Sequence, residues 1–376
     1  MAEDIQQWFQ QSVSIQHFVD TVLQYASACG SSDIHWEPGA RTMRIRLRCD
    51  GVLLTLGELP LEQVEPITAR IKIMANLDIA NKRLPQDGRA AWQDGNKVLD
   101  LRISTMPTVN GEKTVIRMLD RTGISFRLDS LGMDDAVVTA LRHIIQRKSG
   151  LWIAAGPTGS GKTSTVYAAI QEIISDAIHI ATLEDPVEYR IPGISQSQVN
   201  PKQGLLFHNG LRALLRQDPD VLVIGEIRDA ETAQIAVRAA LTGHVVFSTI
   251  HTATAVEVPL RLMDMGVAPY LVADALKGIT AQRLVRRLCP SCGNIAAEAL
   301  PGCPDCFHRG YRGRFCLCEI VPVRQAMQDA IRERANVTAL TQAAAADGAL
   351  FLADAAVSAI TRGWTDEQEI RRIYTA

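Results

Sequence analysis

No uninterrupted apolar run in the 376 residues approaches the roughly 18 that a membrane-crossing helix needs. The opening residues, MAEDIQQWFQQ, lack the basic start and apolar centre of a secretory signal. Charge of one sign is equally scarce. With 39 Lys and Arg against 41 Asp and Glu, the formal net charge is −2. That balance gives no support to a broad nucleic-acid surface, although it leaves room for a local patch. Internal repeats and low-complexity linkers are absent. These absences predict a soluble, cytoplasmic protein. What is present, an apolar fraction of 47%, rules out wholesale disorder and suffices for two or three domains at about 150 residues each.

A reducing cytosol does not favour disulfides, so the 8 cysteines need another explanation. Cys29 and Cys49 stand alone and read as small buried apolar residues. The others lie between Cys289 and Cys318. Cys289-Pro-Ser-Cys292 and Cys303-Pro-Asp-Cys306 form two C-x-x-C knuckles, a spacing at which four thiolates surround zinc tetrahedrally. With all four positions cysteine, no coordination site stays open, so the zinc is expected to be structural. Cys316 and Cys318 fall on one strand face and are expected to pack.

Residues 14–28 place Phe18, Val22 and Tyr25 at helical spacing. In MRIRLRCDGVLLTL, Met43, Ile45, Leu47 and Cys49 alternate with Arg44, Arg46 and Arg48, and Asp50-Gly51 marks a hairpin turn. PITARIKIMANL returns to a helical period, and VLDLRIS and KTVIRML read as a strand pair joined by a loop carrying Pro107 and Asn110-Gly111. Further on, LWIAA, HIATLE, VLVIGE and HVVFSTI are short and almost wholly apolar, as strands of a two-face-buried parallel sheet are. The expected division is a small α/β domain over 1–120, a linker over 121–133, an α/β core over 134–288, the cysteine segment over 289–320 and a helical region over 321–376.

The strongest motif is GPTGSGKT, running Gly156, Pro157, Thr158, Gly159, Ser160, Gly161, Lys162 and Thr163, with Ser164 next. It follows an apolar strand and opens a helix with Val166, Ala169, Ile170 and Ile173 on one side, the context a phosphate-binding loop requires. The glycines let backbone N–H groups approach phosphates and the helix N-terminus favours negative charge. Lys162 is expected on the β- and γ-phosphates of ATP, and Thr163 on magnesium. DPDVLVIGEIRD ends a buried strand in Glu226, which either orients an attacking water or caps the next helix. The metal-binding Asp usual on this strand is replaced by Gly225. Glu184, Asp185 and Glu188 cluster in LEDPVEYR, where they either arrange metal-bound waters or cap a turn. His244 and His251 stand at opposite ends of one strand; position favours phosphate sensing for His251 over a structural role.

From about Ser14 to Thr375 the chain closely resembles the secretion ATPase superfamily that drives type II secretion and type IV pilus assembly. The resemblance rests on SSDIHWEP, RLPQDGR and LRISTMPTVNGEKTVIRML, then on GPTGSGKT, TLEDPVEYRIPGISQSQVN, LRALLRQDPDVLVIGEIRDAETAQIAVRAALTGH and FSTIHT, and finally on AQRLVRRLCPSC and CFHRGYRGR. It implies a RecA-like P-loop core behind a PAS-like α/β domain, assembled as a ring, usually a hexamer. In that pattern Glu226 matches the catalytic Glu, Glu188 the acidic box and His251 the histidine box. Arg102 and Arg117 match arginines that the N-terminal domain contributes towards the nucleotide. Two departures stand out. Only about a dozen residues precede the resemblance, where many members carry an extra adaptor-binding domain, and the spacer between the knuckles is short.

The expectation is a cytoplasmic, magnesium-dependent ATPase at the inner face of the membrane, acting on an inner-membrane platform protein to build a filament. A pilus-retraction motor is the nearest rival, and the family pattern for it lacks the cysteine knuckles. A RecA-like nucleic-acid translocase is the rival of another class, with Arg283, Arg286 and Arg287 as its basic patch. The expectation for those three is instead a solvated helix face, and no nucleic acid as partner.

Overall fold

The computed structural model of the chain describes residues 2–95, 97–120, 126–292 and 303–375. Two compact units divide it, the first from residues 1–124 and 289–313, the second from residues 125–288 and 314–376.

In the first unit, helices α1 (Ala2–Gln11) and α2 (Ile15–Ala28) precede three strands, β1 (Ser31–Pro38), β2 (Thr42–Cys49) and β3 (Val52–Pro60). Helix α3 (Val64–Met74) and strands β4 (Gln86–Asp94), β5 (Lys97–Thr108) and β6 (Gly111–Asp120) follow. The six strands form an antiparallel sheet ordered β3-β2-β1-β6-β5-β4. Alternation sorts its faces: Ile34 and Trp36, Met43 to Cys49 at every second residue, Leu99, Leu101, Ile103, Ile116 and Met118 share one apolar core with α2 and α3. The expected strand pair is longer than its apolar stretch. Pro107 pairs with Glu112 inside the ladder and only Val109 and Asn110 make the turn, because Gly111 accepts a φ of 126°.

The second unit opens with α4 (Asp135–Ile145), then alternates β7 (Gly150–Ala155), α5 (Lys162–Ile173), β8 (Ile180–Glu184), β9 (Ser195–Gln198), α6 (Phe207–Leu214), β10 (Val221–Ile224), α7 (Ala230–Leu241) and β11 (Val245–Ile250). Helices α8 (Glu257–Asp264) and α9 (Pro269–Ala275) lead to β12 (Leu276–Leu288) and, beyond the cysteine segment, β13 (Tyr311–Pro322). Helices α10 (Gln325–Arg332), α11 (Val337–Ala346), α12 (Leu352–Thr361) and α13 (Glu367–Thr375) complete the chain. The sheet order is β13-β12-β7-β11-β10-β8-β9, with parallel pairing from β12 to β9. Along β7, Leu151, Ile153 and Ala155 enter one core while Trp152 and Ala154 enter the other, so both faces are covered as the unbroken apolar runs require. This is the parallel α/β sheet that the apolar strands predicted and the RecA-like core that the resemblance implied.

β12 corrects one expectation. Arg283, Arg286 and Arg287 lie on a strand, not a helix face. Arg286 pairs with buried Glu369 at 2.7 Å and Arg287 stacks 5.4 Å from the Trp364 ring centroid, so two of the three are taken up in docking α13 and its preceding turn.

Candidate active site

The loop between β7 and α5 depends on its glycines. Gly156, Gly159 and Gly161 have φ of 142°, 77° and 89°, conformations that cost other residues dearly. A Cβ on Gly156 would fall 2.7 Å from the Gln282 carbonyl oxygen, so β12 also shuts side chains out of the loop's start. Pro157, Thr158 and Gly159 are exposed, Ser160 is buried, and Thr163 is exposed in the first turn of α5 beside half-buried Ser164. Lys162 curls over this loop and donates to the Gly156 and Pro157 carbonyls at 2.8 and 2.9 Å. Burial lowers its ammonium to about 8, Glu226 opposes that shift and the Arg283 charge adds to it.

Strands β10 and β11, side by side, carry the next residues. Glu226 follows β10 and His251 follows β11, with His251 Nε2 3.5 Å from Glu226 Oε1. Arg228 holds both oxygens of Glu226, Nε to Oε1 at 2.5 Å and Nη2 to Oε2 at 2.9 Å. Burial pushes the Glu226 carboxyl up, but the Arg228 hydrogen bonds and the His251 and Lys162 charges outweigh it and leave it below its ordinary value. Burial and the Lys162 charge lower His251, and Glu226 opposes that shift. Helix α7 is capped by Asp229, whose side chain accepts from Thr232 N at 2.8 Å. Glu226 is not consumed as a cap. Lys162, Glu226 and His251 are thus within electrostatic reach of one another.

The acidic segment behaves differently. Glu184 is 4% exposed and accepts hydrogen bonds from Tyr167 Oη, Thr182 Oγ1 and Gln196 Nε2. It braces β8 and β9 against α5. Gly225 explains the missing metal-binding Asp. A Cβ there would lie 3.2 Å from the Leu183 carbonyl and Glu184 Cα, a crowded spot for any carboxylate side chain. Glu188 is half-buried in the turn beyond β8, and the Asp185 charge reaches Arg228.

Arg102 and Arg117 belong to the first unit, where they face each other across β5 and β6. A row crosses five strands of that sheet: Arg48, Asp33, Arg117, Arg102, Arg89. Asp33 accepts from Arg117 Nε at 2.9 Å and lies 3.8 Å from Arg48. Sequence reasoning passes over Arg89 and Asp33 because only strand register reveals the row.

Cys289, Cys292, Cys303 and Cys306 bring their Sγ atoms within 4.8 Å of one another. Neighbouring pairs are 3.7, 3.9 and 3.9 Å apart, close to the ~3.8 Å edge of a tetrahedron with Zn–S bonds of about 2.3 Å. The donor set fits zinc. Arg309 anchors the cluster within the first unit by donating to the Cys306 and Cys29 carbonyls at 3.0 and 3.2 Å. Cys29 and Cys49 are buried there with sulfurs 3.6 Å apart, and Cys316 and Cys318 pack in the core of the second unit.

A model of the family described as "Type II/IV secretion system protein" matches residues 9–372. The chain belongs to this family. Among curated relatives, the type II secretion system ATPase E of Vibrio cholerae is 42% identical over 374 residues, covering 94% of this chain and 74% of that protein. The type II secretion system protein HxcR of Pseudomonas aeruginosa is 43% identical over 366 residues, covering 97% and 78%. Among solved structures, the Legionella pneumophila ATPase DotB shares the fold, with a TM-score of 0.72 at 21% identity and 95% of each chain covered. The pilus retraction motor PilT, solved with ADP, superposes with a TM-score of 0.58 at 26% identity, covering 96% of this chain and all of its own. This chain is a secretion ATPase, and its chemistry takes ATP and magnesium. No helix among its described residues is long and apolar enough to cross a membrane.

Proposed function

We propose that this secretion ATPase is a cytoplasmic, hexameric ring motor at the inner face of the membrane, driving filament assembly through an inner-membrane platform protein. The convergence of Lys162, Glu226 and His251 on one loop carries the reading. In it, the backbone N–H groups along Gly156 to Ser164, Pro157 having none, cradle the phosphates, and Lys162 leaves the Gly156 and Pro157 carbonyls for the β- and γ-phosphates. Thr163 would hold magnesium, whose charge would offset that developing on the phosphates. Glu226, ionised and therefore a weak base, orients the attacking water and does not fully deprotonate it; Arg228 must yield one oxygen for this. His251 reports the γ-phosphate to Glu226, and Glu188 supports the waters around the metal. Arg102 and Arg117 supply cations from the first unit, and Cys289, Cys292, Cys303 and Cys306 hold a structural zinc.

The four cysteines favour assembly over retraction, and the engagement of Arg286 and Arg287 within the fold leaves little basic surface on β12 for nucleic acid. The test is phosphate release by Glu226→Gln beside Lys162→Ala. Glu226→Gln should lower turnover at least about 100-fold while ATP still binds, whereas Lys162→Ala should weaken binding itself. Near-normal turnover in Glu226→Gln would move the role to Glu188.

A further inference from the structure

We propose that Arg283 is a positioning residue for hydrolysis, locking the loop after His251 to the strand that backs the P-loop. The proposal rests on the reading of Glu226 and His251 above. β12 runs parallel to β7 with Ala281 opposite Ala155, which carries Gln282 and Arg283 alongside the phosphate loop. Gln282 is fully buried and its Nε2 donates to the Ser160 carbonyl at 2.8 Å. Arg283 then spans two segments with one guanidinium. Its Nη1 donates to the Gln282 carbonyl at 3.0 Å and its Nη2 to the Ala253 carbonyl at 2.9 Å.

Ala253 lies two residues beyond His251, so any turn of its peptide moves the imidazole relative to Glu226. The rest of the loop is tied elsewhere. Ala253 N and Thr254 N donate to Glu257, and Ala255 N to buried Glu319 at 2.6 Å. Arg283 therefore ties this loop directly to β12, the strand beside β7, while Glu319 ties it to β13. Both acceptors of Arg283 are neutral carbonyls. A planar fork holds two carbonyls at fixed separation, and a lysine ammonium offers no such fork.

The full-length protein is tested as Arg283→Ala, Arg283→Lys, His251→Ala and the double variant Arg283→Ala/His251→Ala. Turnover should fall about tenfold in Arg283→Ala, as expected for a small misplacement of a reacting group. KM for ATP should stay within about threefold. Amide hydrogen exchange across 252–255 should quicken in Arg283→Ala, and Arg283→Lys, which keeps the stem packed, should recover only part of the turnover. The double variant should be no slower than His251→Ala alone. Raised KM at unchanged turnover would make Arg283 a phosphate ligand and overturn the proposal; so would lowered turnover with unchanged exchange. If His251→Ala alone keeps full activity, the role of His251 fails, and the exchange measurement still decides whether Arg283 clamps the loop.

Discussion

Glu184 ends β8 with its oxygens engaged by Tyr167, Thr182 and Gln196, while Glu226, just past the neighbouring strand β10, is held by Arg228 with His251 beside it. In a sequence the two look alike, each an acid closing a short, largely apolar run. Their partners separate them, and those partners are distant in the chain. Tyr167→Phe leaves a buried Glu184 oxygen without its donor and should cost about 1–3 kcal/mol. A lower denaturant midpoint with unchanged nucleotide affinity would bear this out. Lys162 gives a pH prediction. Its ammonium titrates near 8 in the free protein, and phosphates bind the cation, so binding takes up a proton above that pH. ATP affinity should be flat below pH 8 and weaken by up to about tenfold per unit above it. A nucleotide titration from pH 7 to 10 checks the sign, and Lys162→Arg should abolish the dependence.

Among the elements, the parallel strands β7, β8, β10 and β11 were legible because an unbroken apolar run bounded by polar stretches has few other meanings. β12 was not, since Arg283, Arg286 and Arg287 mimic a helical stripe. Its burial comes from Ile279, Ala281 and Val285, flanked by a polar Gln282 that sits wholly inside. β4 escaped for the opposite reason: QDGRAAWQD alternates between half-buried and exposed positions without one large aliphatic residue. The site shows the same divide. The P-loop is contiguous and readable, whereas the arginine row and the Arg283 bridge exist only once strands are in register. Asp347, which interrupts an apolar tract, is 7% exposed and accepts from the backbone N–H groups of Arg324, Ala326 and Met327. Asp347→Ala should therefore unravel the start of α10 at a cost of about 1–3 kcal/mol, measurable by thermal unfolding. The cysteine segment should hold one zinc per chain by elemental analysis. Cys303→Ser should lose it, because the binding energy is local folding energy. Full occupancy in that variant would point to Cys316 or Cys318 as the fourth ligand.

At the scale of the whole molecule, the first unit is discontinuous. Residues 289–313 return to it after most of the second unit has been formed, and they bring Phe307 against Tyr25 at 5.6 Å and Arg309 against Asp50 at 3.4 Å. A fragment starting near residue 125 thus keeps the P-loop and Glu226 but strands the cysteine segment without its partner surface. Such a fragment should bind ATP yet hydrolyse it poorly compared with the full chain, and it should also lose solubility unless 289–313 is removed. Equal turnover per site would show that Arg102 and Arg117 serve structure alone. The same interrupted path has a consequence in time. On a ribosome, the surface around Tyr25 and Asp50 emerges early and waits for its complement while residues 125–288 are made. At 5–20 residues per second that wait is roughly ten to thirty seconds. Through that interval the nascent first unit lacks the segment that covers this surface, and its completion falls due when residues 303–313 leave the exit tunnel.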